Sequence, residues 1–490
     1  MVPMNLLTPS PCFVAAAALM AVSTTAAQSQ PGSPSTIAMA PAAAGLPPLP
    51  AVVRNETQEQ LDARMKWFRE ARFGLFIHWG VYAVPAGFWQ GKPVGAEWIM
   101  NQGRIPVADY KAFAKNFTAA KYDPEAWAQL AADAGMKYVV ITAKHHDGFA
   151  LYDTRYSDWN AVKASGAGRD LIKPLAAAVR ARGLKFGTYY SQSQDWVNPG
   201  GATARGEPWD PAQKGDFDEY LARVSLPQAR ELVEKFNPDI LWWDTEFKMT
   251  PERAKPFFDL VVAHPRMIHN SRLGGGVLGD FRTSEQRIPA SAMLGRALEV
   301  NMTMNRSWGY RSDDNDYKSV RDLIRNLSDI VSKDGNYLLN VGPTAEGEIP
   351  APQVERLKAI GRWMKVNGEA IYGTRGSPYN TALPWGRTTV KTAADGRSTL
   401  FLHVWDWPAD GRLVVPGIDQ VPAAARMLAG GAKLQTSVTP QGVIIAVPTS
   451  APDADVSVIA LDFSRPVVVK DAAALPKDVG ASGTLFEPGK

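Results

Sequence analysis

Short apolar runs alternate with longer amphipathic stretches from Glu70 to Gly376. The apolar runs are nearly continuous, which is typical of parallel strands buried on both faces. The predicted strands cover residues 73–79, 137–144, 185–191, 240–244, 267–272 and 336–342. The predicted helices cover residues 123–135, 168–183, 225–236, 250–263, 319–333 and 351–366, and two of them open on a capping residue followed by proline. This alternation predicts an α/β fold, and its extent suits a (β/α)8-like barrel, which typically takes ~250 residues.

The pattern changes after Gly376, where short β-rich runs are separated by turn signals such as Asp395-Gly396 and Asp410-Gly411. These runs cover residues 388–392, 398–405, 412–415, 433–436, 442–447 and 456–461. They predict a C-terminal antiparallel β-sandwich. We therefore expect a catalytic barrel over residues 55–376, a β-sandwich domain over 377–465 and a C-terminal tail over 466–490.

The first charged side chain is Arg54. Before it, residues 12–23 form an apolar run as long as the core of a signal peptide, and small residues follow it up to Ala27. The run is shorter than the ~20 apolar residues that a membrane span needs. We expect a signal peptide over 1–27, a disordered Pro- and Ala-rich linker over 28–54, and a secreted or periplasmic protein. The single cysteine, Cys12, would leave with the signal peptide, so no disulfide is expected.

The composition indicates a globular protein, with 45% hydrophobic and 21% charged residues among 490. The formal net charge is only +4, and no block of five or six like charges occurs, so nucleic acid is not expected as a partner. No membrane span and no cofactor are expected either. The sequence is compatible with a homo-oligomer but does not decide the oligomeric state. The fifteen tryptophans are unusually many.

Polar side chains close the predicted strands, where the active sites of parallel barrels lie. They include His78, His145 with His146, Tyr189 with Tyr190, Asp244 and Arg272. Several tryptophans lie close to these strand ends, namely Trp79, Trp89, Trp98, Trp242, Trp243 and Trp308. Sugar hydroxyls need polar partners and the C–H face of a sugar stacks on aromatic rings, so this rim suits a carbohydrate.

Hydrolysis of a glycosidic bond needs two carboxyl groups. Asp244 closes a buried apolar strand, where an unpaired carboxylate would be costly, and it is the candidate nucleophile. For the acid/base, Glu285 lies in a predicted loop after the next strand, and Glu299 lies just before residues 301–310. Spacing alone does not decide which of these two glutamates is the acid/base.

Several motifs resemble those of the α-L-fucosidases of glycoside hydrolase family 29. They occupy residues 72–84, 97–98, 137–149, 187–191, 238–244, 279–285, 307–310 and 334–343, and TAKHHDGF at 142–149 is the most specific. The resemblance implies a barrel followed by a β-sandwich. It also implies retaining hydrolysis of terminal α-L-fucosyl residues from oligosaccharides or glycoconjugates, so a fucosylated glycan is the expected substrate.

By the same resemblance Asp244 is the nucleophile, and the DFxTxE pattern at 280–285 favours Glu285 over Glu299 as the acid/base. The residues expected to line the fucose site are His78, Glu97, Trp98, His145, His146, Tyr190, Trp242 and Arg272. Fucose has a methyl group in place of a 6-hydroxyl, and we expect Phe76 or Trp308 to form an apolar wall for it.

Two other functions remain as alternatives. One is a non-catalytic carbohydrate-binding protein on the same fold. The other is a metal-dependent barrel hydrolase that uses His78, His145 and His146. Adjacent histidines point to opposite sides of an extended strand, and no HxH or HExxH spacing occurs, so no metal site is expected. The aspartates at 313, 314 and 316 lack the glycine and terminal glutamate of an EF-hand loop and are expected to cap the helix near Ser319.

Overall fold

The computed structural model describes residues 51–292, 296–379 and 381–470. Its largest element is an eight-stranded parallel sheet. The strands are β1 (Phe73–Ile77), β2 (Tyr138–Lys144), β3 (Lys185–Ser191), β4 (Ile240–Asp244), β5 (Ile268–His269), β6 (Phe281–Glu285), β7 (Ala297–Thr303) and β8 (Gly335–Val341). Their order in the sheet is β5-β4-β3-β2-β1-β8-β7-β6. A parallel bridge between Asn270 and Phe281 joins the two edges, so the sheet closes into a barrel.

Seven longer helices accompany the barrel strands within the described ranges. They are α1 (Gln58–Ala71), α2 (Pro124–Asp133), α3 (Ile172–Ala181), α4 (Leu226–Phe236), α5 (Pro251–Val262), α6 (Val320–Ser332) and α7 (Ala351–Asn367). Shorter helices cover Ile99–Gln102, Val107–Ala112 and Phe217–Tyr220, and Phe88–Trp89 pairs with Lys92–Pro93 in a small hairpin. None of the helices in the described part of the chain combines the length and the apolar composition needed to cross a membrane.

The predicted helix starts follow from capping side chains. Asp123 accepts a hydrogen bond from the Ala126 N–H, and Thr250 accepts one from Arg253. Ser319 caps α6 through a reciprocal pair of bonds with Asp322. The prediction that the aspartates at 313–316 cap this helix is therefore wrong. They bond instead to the 306–311 segment, with Asp313 on Arg311, Asp314 on Ser307 and Asp316 on Arg306.

Helix α1 has no counterpart in the prediction. Its sequence is mostly polar, and its narrow apolar stripe includes Met65 and Phe68, which are both fully buried. The Phe68 ring stacks on Phe281 at 4.6 Å between centroids, and Phe281 is the first residue of β6. This helix therefore packs against the N-terminal end of the barrel, on the side opposite the strand ends that carry the polar residues.

Strands β6 and β7 also have no counterpart in the prediction, which placed Glu285 in a loop. Glu285 is instead the last residue of β6. The chain connects β5 to β6 and β6 to β7 without a long described helix, and Arg282 on the outer face of β6 is exposed. A strand whose outer face meets water lacks the continuous apolar pattern that marks a strand buried on both faces.

The C-terminal strands form two antiparallel sheets. The strands are β9 (Gly386–Thr392), β10 (Ser398–Val404), β11 (Arg412–Pro416), β12 (Ala424–Met427), β13 (Gln435–Thr439), β14 (Gly442–Ala446) and β15 (Ser457–Phe463). One sheet has the order β9-β10-β15-β12 and the other the order β11-β14-β13. Of these, β12 was not predicted. Leu402, Val415, Val443 and Ile459 pack together between the sheets. The predicted barrel followed by a β-sandwich is confirmed.

Both outer boundaries of the folded part differ from the expected ones. Val52, placed in the linker, forms a bridge with Val277. Val467, placed in the tail, donates from its backbone to the Ser398 hydroxyl and packs on the sandwich core. The predicted signal peptide, most of the predicted linker and residues 471–490 of the predicted tail lie outside the described residues.

Candidate active site

Strand parity places Asp244 inside the barrel. Successive side chains of a strand point to opposite faces, so Ile240, Trp242 and Asp244 share one face of β4. Ile240 and Trp242 belong to the core inside the barrel, whereas Leu241 and Trp243 belong to the layer between strands and helices. Asp244 therefore reaches the C-terminal mouth of the barrel above the Trp242 indole.

Three donors hold the Asp244 carboxylate. The Tyr189 hydroxyl donates to Oδ2 at 2.7 Å, Arg272 Nη1 donates to Oδ1 at 2.9 Å, and the Thr245 N–H donates to Oδ1 at 2.9 Å. His146 Nε2 lies 3.6 Å from Oδ2. The side chain keeps 15% exposure. These contacts fix the carboxylate while leaving it open to a molecule in the mouth.

Arg272 joins the two predicted catalytic carboxylates. Besides Asp244, its Nη2 donates to Glu285 Oε2 at 2.8 Å, and its Nε donates to the Thr283 hydroxyl at 2.8 Å. Burial opposes the guanidinium charge, but the two carboxylates outweigh it and raise the pKa of Arg272 above its usual range. The guanidinium also lies over the Trp242 ring, 4.9 Å from its centroid. Asp244 and Glu285 thus share one rigid cation.

Glu299 occupies a different place from Glu285. The β6–β7 register pairs Glu285 with Asn301 and Thr283 with Glu299, so Glu299 lies one inward position deeper in the barrel. It is fully buried and accepts hydrogen bonds from the Tyr138 hydroxyl at 2.6 Å and from Trp242 Nε1 at 2.8 Å. Burial raises the pKa of Glu299 to about 7. The Trp242 indole N–H thus binds one carboxyl oxygen of Glu299, and the indole ring lies between Glu299 and the mouth.

All three predicted histidines line the mouth. His78 Nδ1 lies 2.7 Å from Asn340 Oδ1, and His146 Nδ1 lies 2.7 Å from the Ser191 hydroxyl. His145 stacks on Tyr189 with an interplanar angle of 7°. Burial lowers the pKa of His78 to about 4 and those of His145 and His146 well below the usual value. The mouth therefore presents neutral imidazoles, which can both donate and accept hydrogen bonds.

The adjacent histidines do not diverge as an extended strand would require. Strand β2 has a register shift between Thr142 and Lys144, and the Gly148 N–H bonds to the His145 carbonyl in a turn. Both rings consequently lie on one side, with centroids 4.1 Å apart. The expectation of opposite sides is wrong because the chain has already left the strand. Within the described residues, no group of three His, Cys, Asp or Glu side chains is arranged to hold a metal ion.

The remaining predicted residues form the walls. Glu97 is buried, and its Oε2 accepts from the Gly309 N–H at 2.9 Å; burial raises its pKa. Trp98 lies beside His146, with ring centroids 5.0 Å apart. Trp308 lies 4.9 Å from His78, and Phe76 lies 5.9 Å from Trp308. Aromatic surfaces thus alternate with polar groups around the mouth.

Tyr190 does not belong to this site, which corrects the prediction. Its side chain points out of the barrel, where its hydroxyl donates to Gln228 Oε1 at 2.9 Å and lies 3.1 Å from the Ser225 carbonyl oxygen. The neighbouring Tyr189 has the inward parity and contacts Asp244. Sequence reasoning also missed Asn340, Ser191 and Gln192. Ser191 shares the parity of Tyr189, so strand alternation was the available signal.

The chain is similar to proteins of one family. The sequence model of that family, described as "Alpha-L-fucosidase", matches residues 51–369. The plasma alpha-L-fucosidase of Rattus norvegicus is 35% identical over 436 residues, which cover 80% of this chain and 90% of that protein.

Solved structures give the same result. Alpha-L-fucosidase isoenzyme 1 from Paenibacillus thiaminolyticus superposes with a TM-score of 0.73 at 35% identity, covering 84% of this chain and all of that one. An alpha-L-fucosidase GH29 from Bacteroides thetaiotaomicron, trapped as a covalent intermediate with 2-fluoro-fucosyl fluoride, superposes with a TM-score of 0.74 at 27% identity, covering 85% of this chain and 99% of that one.

Proposed function

The chain belongs to the α-L-fucosidase family, glycoside hydrolase family 29, and is a retaining glycosidase of terminal α-L-fucosyl residues; we propose that Asp244 is its nucleophile and Glu285 its acid/base. The observation that carries these two roles is the Arg272 guanidinium, which bonds to both carboxylates at the barrel mouth. The carboxyls of retaining glycosidases lie ~5–5.5 Å apart, and two terminal nitrogens of one guanidinium hold this pair close together.

In the first half-reaction, an Oδ atom of Asp244 forms a bond to C1 of the fucosyl residue. The bond from C1 to the leaving oxygen breaks, and that oxygen takes the proton of Glu285. Asp244, Glu285 and Arg272 are electrically neutral as a group when the two carboxyls carry one proton between them. That state supplies both a nucleophile and an acid.

In the second half-reaction, a water gives a proton to Glu285, and its oxygen forms a bond to C1 while the bond from C1 to Oδ breaks. Two inversions at C1 return L-fucose with its original configuration. Glu285 regains the proton that it gave away, so the cycle closes without another acid.

The walls supply the binding contacts in this scheme. Neutral His78, His145 and His146 exchange hydrogen bonds with the fucose hydroxyls, together with Glu97 and the indole N–H of Trp98. Trp242 forms the floor, and Phe76 with Trp308 receives the fucose methyl group. Tyr189 takes the place that the sequence analysis assigned to Tyr190, since it is the tyrosine that contacts Asp244.

Replacement of the nucleophile tests the scheme. We expect Asp244→Ala to lose nearly all hydrolysis of an aryl α-L-fucoside, with azide restoring part of it as a fucosyl azide of inverted configuration. Anomer-resolved NMR of the wild-type product should show the retained anomer first. An Asp244→Ala protein that matches the wild type would refute the assignment.

We also propose that the protein is exported, either secreted or to the periplasm. The support is the apolar run at 12–23 with its small-residue end at Ala27. The similar rat protein is named a plasma enzyme. N-terminal sequencing of the enzyme from the exported fraction of expressing cells should begin at or near Gln28. Full-length chain retained in the cytoplasm would contradict export.

A further inference from the structure

Gln192 connects the ends of three neighbouring barrel strands. It follows the last residue of β3, and its side chain is fully buried. Its Oε1 accepts from the Asp244 N–H at 3.0 Å, at the end of β4. Its Nε2 donates to the Arg272 carbonyl at 2.8 Å and to the Thr245 carbonyl at 3.1 Å. One amide therefore binds the main chain of the candidate nucleophile and that of the arginine that holds it.

The Gln192 main chain is itself fixed. Its carbonyl accepts a hydrogen bond of 2.6 Å from the Ser225 hydroxyl, at the start of α4. The amide thus projects from an anchored backbone, and the groups that it meets are buried main-chain donors and acceptors that need partners.

The turn that follows Asp244 needs such support. Thr245 has a φ of 65°, which is strained for a β-branched residue. In this conformation its N–H points at Asp244 Oδ1, 2.9 Å away. The Thr245 carbonyl is held from the other side by Gln192 Nε2 and by the Ser193 hydroxyl. The strained turn therefore persists with its N–H directed at the carboxylate.

We propose that Gln192 is a positioning residue for catalysis, which sets the Asp244 carboxylate and the Arg272 guanidinium relative to each other by binding both main chains. The proposal rests on Asp244 acting as the nucleophile. Gln192 touches no reacting atom and acts through the two residues that do. An amide suits this place because it combines one acceptor with two donors in a rigid plane.

The test measures covalent capture at each competent site. With 2-deoxy-2-fluoro-fucosyl fluoride, an Asp244 oxygen bonds to C1 while fluoride leaves, and intact mass counts the labelled molecules. Gln192→Met keeps the side-chain length but loses every side-chain hydrogen bond. We expect it to label to completion with a rate constant about 10- to 100-fold below the wild type, because small misplacement of reacting groups has costs of this size. The binding of L-fucose should change less than threefold.

A conservative variant provides a rescue. In Gln192→Glu the protonated side chain keeps one donor and one acceptor, whereas the ionised form has no donor for the Arg272 carbonyl. The labelling rate of Gln192→Glu, divided by that of Gln192→Met, should therefore rise as the pH is lowered. A purely structural role predicts a flat ratio.

Gln228→Met is the matched control. Gln228 is also a fully buried glutamine, but it bonds to Tyr190 outside the barrel. The Gln228→Met variant should have a lower melting temperature, but each folded molecule should be labelled at the wild-type rate. If Gln192→Met also keeps that rate, with the label mapped to Asp244, the positioning role is overturned and the proposed function stands. A label mapped to another residue overturns both.

Discussion

The hydroxyl of Tyr189 donates a hydrogen bond of 2.7 Å to Oδ2 of Asp244. The same ring stacks on Trp242 with an interplanar angle of 19° and on His145 with an angle of 7°. Tyr189 therefore ties the candidate nucleophile to the aromatic floor of the mouth and to one of its imidazole walls. Its neighbour Tyr190 has none of these contacts and bonds to α4 instead.

We predict that Tyr189→Phe lowers kcat/KM for an aryl α-L-fucoside by about 10- to 100-fold, because hydrogen bonds to charged groups contribute ~1.5–3 kcal/mol. Tyr190→Phe removes a hydroxyl of the same strand on the opposite face. It should lower stability and leave the kcat/KM of the folded enzyme near that of the wild type. Steady-state kinetics beside thermal unfolding separates the two. Equal losses of kcat/KM would show that the inward tyrosine has no special role.

Variants of Glu285 and Glu299 should differ in how strongly their activity depends on the leaving group of the substrate. Glu285→Gln removes the proton donor, so we predict that hydrolysis of a natural fucosylated oligosaccharide falls by about 10²- to 10⁴-fold. An activated aryl fucoside needs less protonation and should lose less in its first half-reaction. Azide should accelerate the turnover of Glu285→Ala and form a fucosyl azide of retained configuration.

Glu299→Gln should behave differently, because its amide can still accept from Trp242 and donate to the Tyr138 oxygen. We expect any loss of hydrolytic activity in Glu299→Gln to be the same for all leaving groups. Azide should give no fucosyl azide product. Dependence on the leaving group in Glu299→Gln, together with its absence in Glu285→Gln, would reverse the assignment.

Arg272 should not tolerate replacement by lysine. A lysine ammonium is a point charge without the planar fork that now serves Asp244 and Glu285 at once. We predict that Arg272→Lys keeps the fold and loses about 100-fold or more in kcat/KM, since misplacement of catalytic groups has costs of this size. Circular dichroism and covalent labelling with 2-deoxy-2-fluoro-fucosyl fluoride check this. A lysine variant within threefold of the wild type would show that bridging is dispensable.

Glu299 should make stability depend on pH. Burial raises its pKa to about 7, so the folded state keeps a proton that the unfolded chain has lost. Its contribution to stability is fully present below the ordinary glutamate pKa of ~4.3 and is lost as the pH rises through the folded pKa. Asp147, whose pKa burial also raises to about 7, acts in the same direction. The buried histidines, whose pKa values are lowered, act in the opposite direction as the pH falls below ~6.5.

Urea unfolding of the wild type and Glu299→Gln at pH 5.5 and pH 7.5 separates the contribution of Glu299 to stability from those of the other titratable groups. The free energy of unfolding of the wild type minus that of Glu299→Gln should become smaller at the higher pH, by about 2 kcal/mol for a shift of this size over these two pH units. Asp147 and the histidines cancel in that difference. An unchanged difference between the two pH values would mean that Glu299 does not titrate in this range.

The barrel, the sandwich and the residue types of the site were all predictable from the sequence. Strands covered by helices on both faces carry continuous apolar runs, and Asp244 closes one such run. Helix starts at Asp123 and Thr250 were readable because capping is a local interaction. The motifs around His145 and Asp244 indicated the chemistry through their resemblance to those of the α-L-fucosidases.

Which of two neighbouring residues faces the mouth became visible in the folded chain alone. His145 and His146 both face the mouth because the chain has left β2 and turns there, whereas regular alternation in β3 turns Tyr189 in and Tyr190 out. The exposed outer face of β6 hid the strand that carries Glu285. Gln192 has no local signature at all, because its partners lie 52 and 80 residues away in the chain. Closure of the barrel brings these strand ends together, and that contact is long-range by nature.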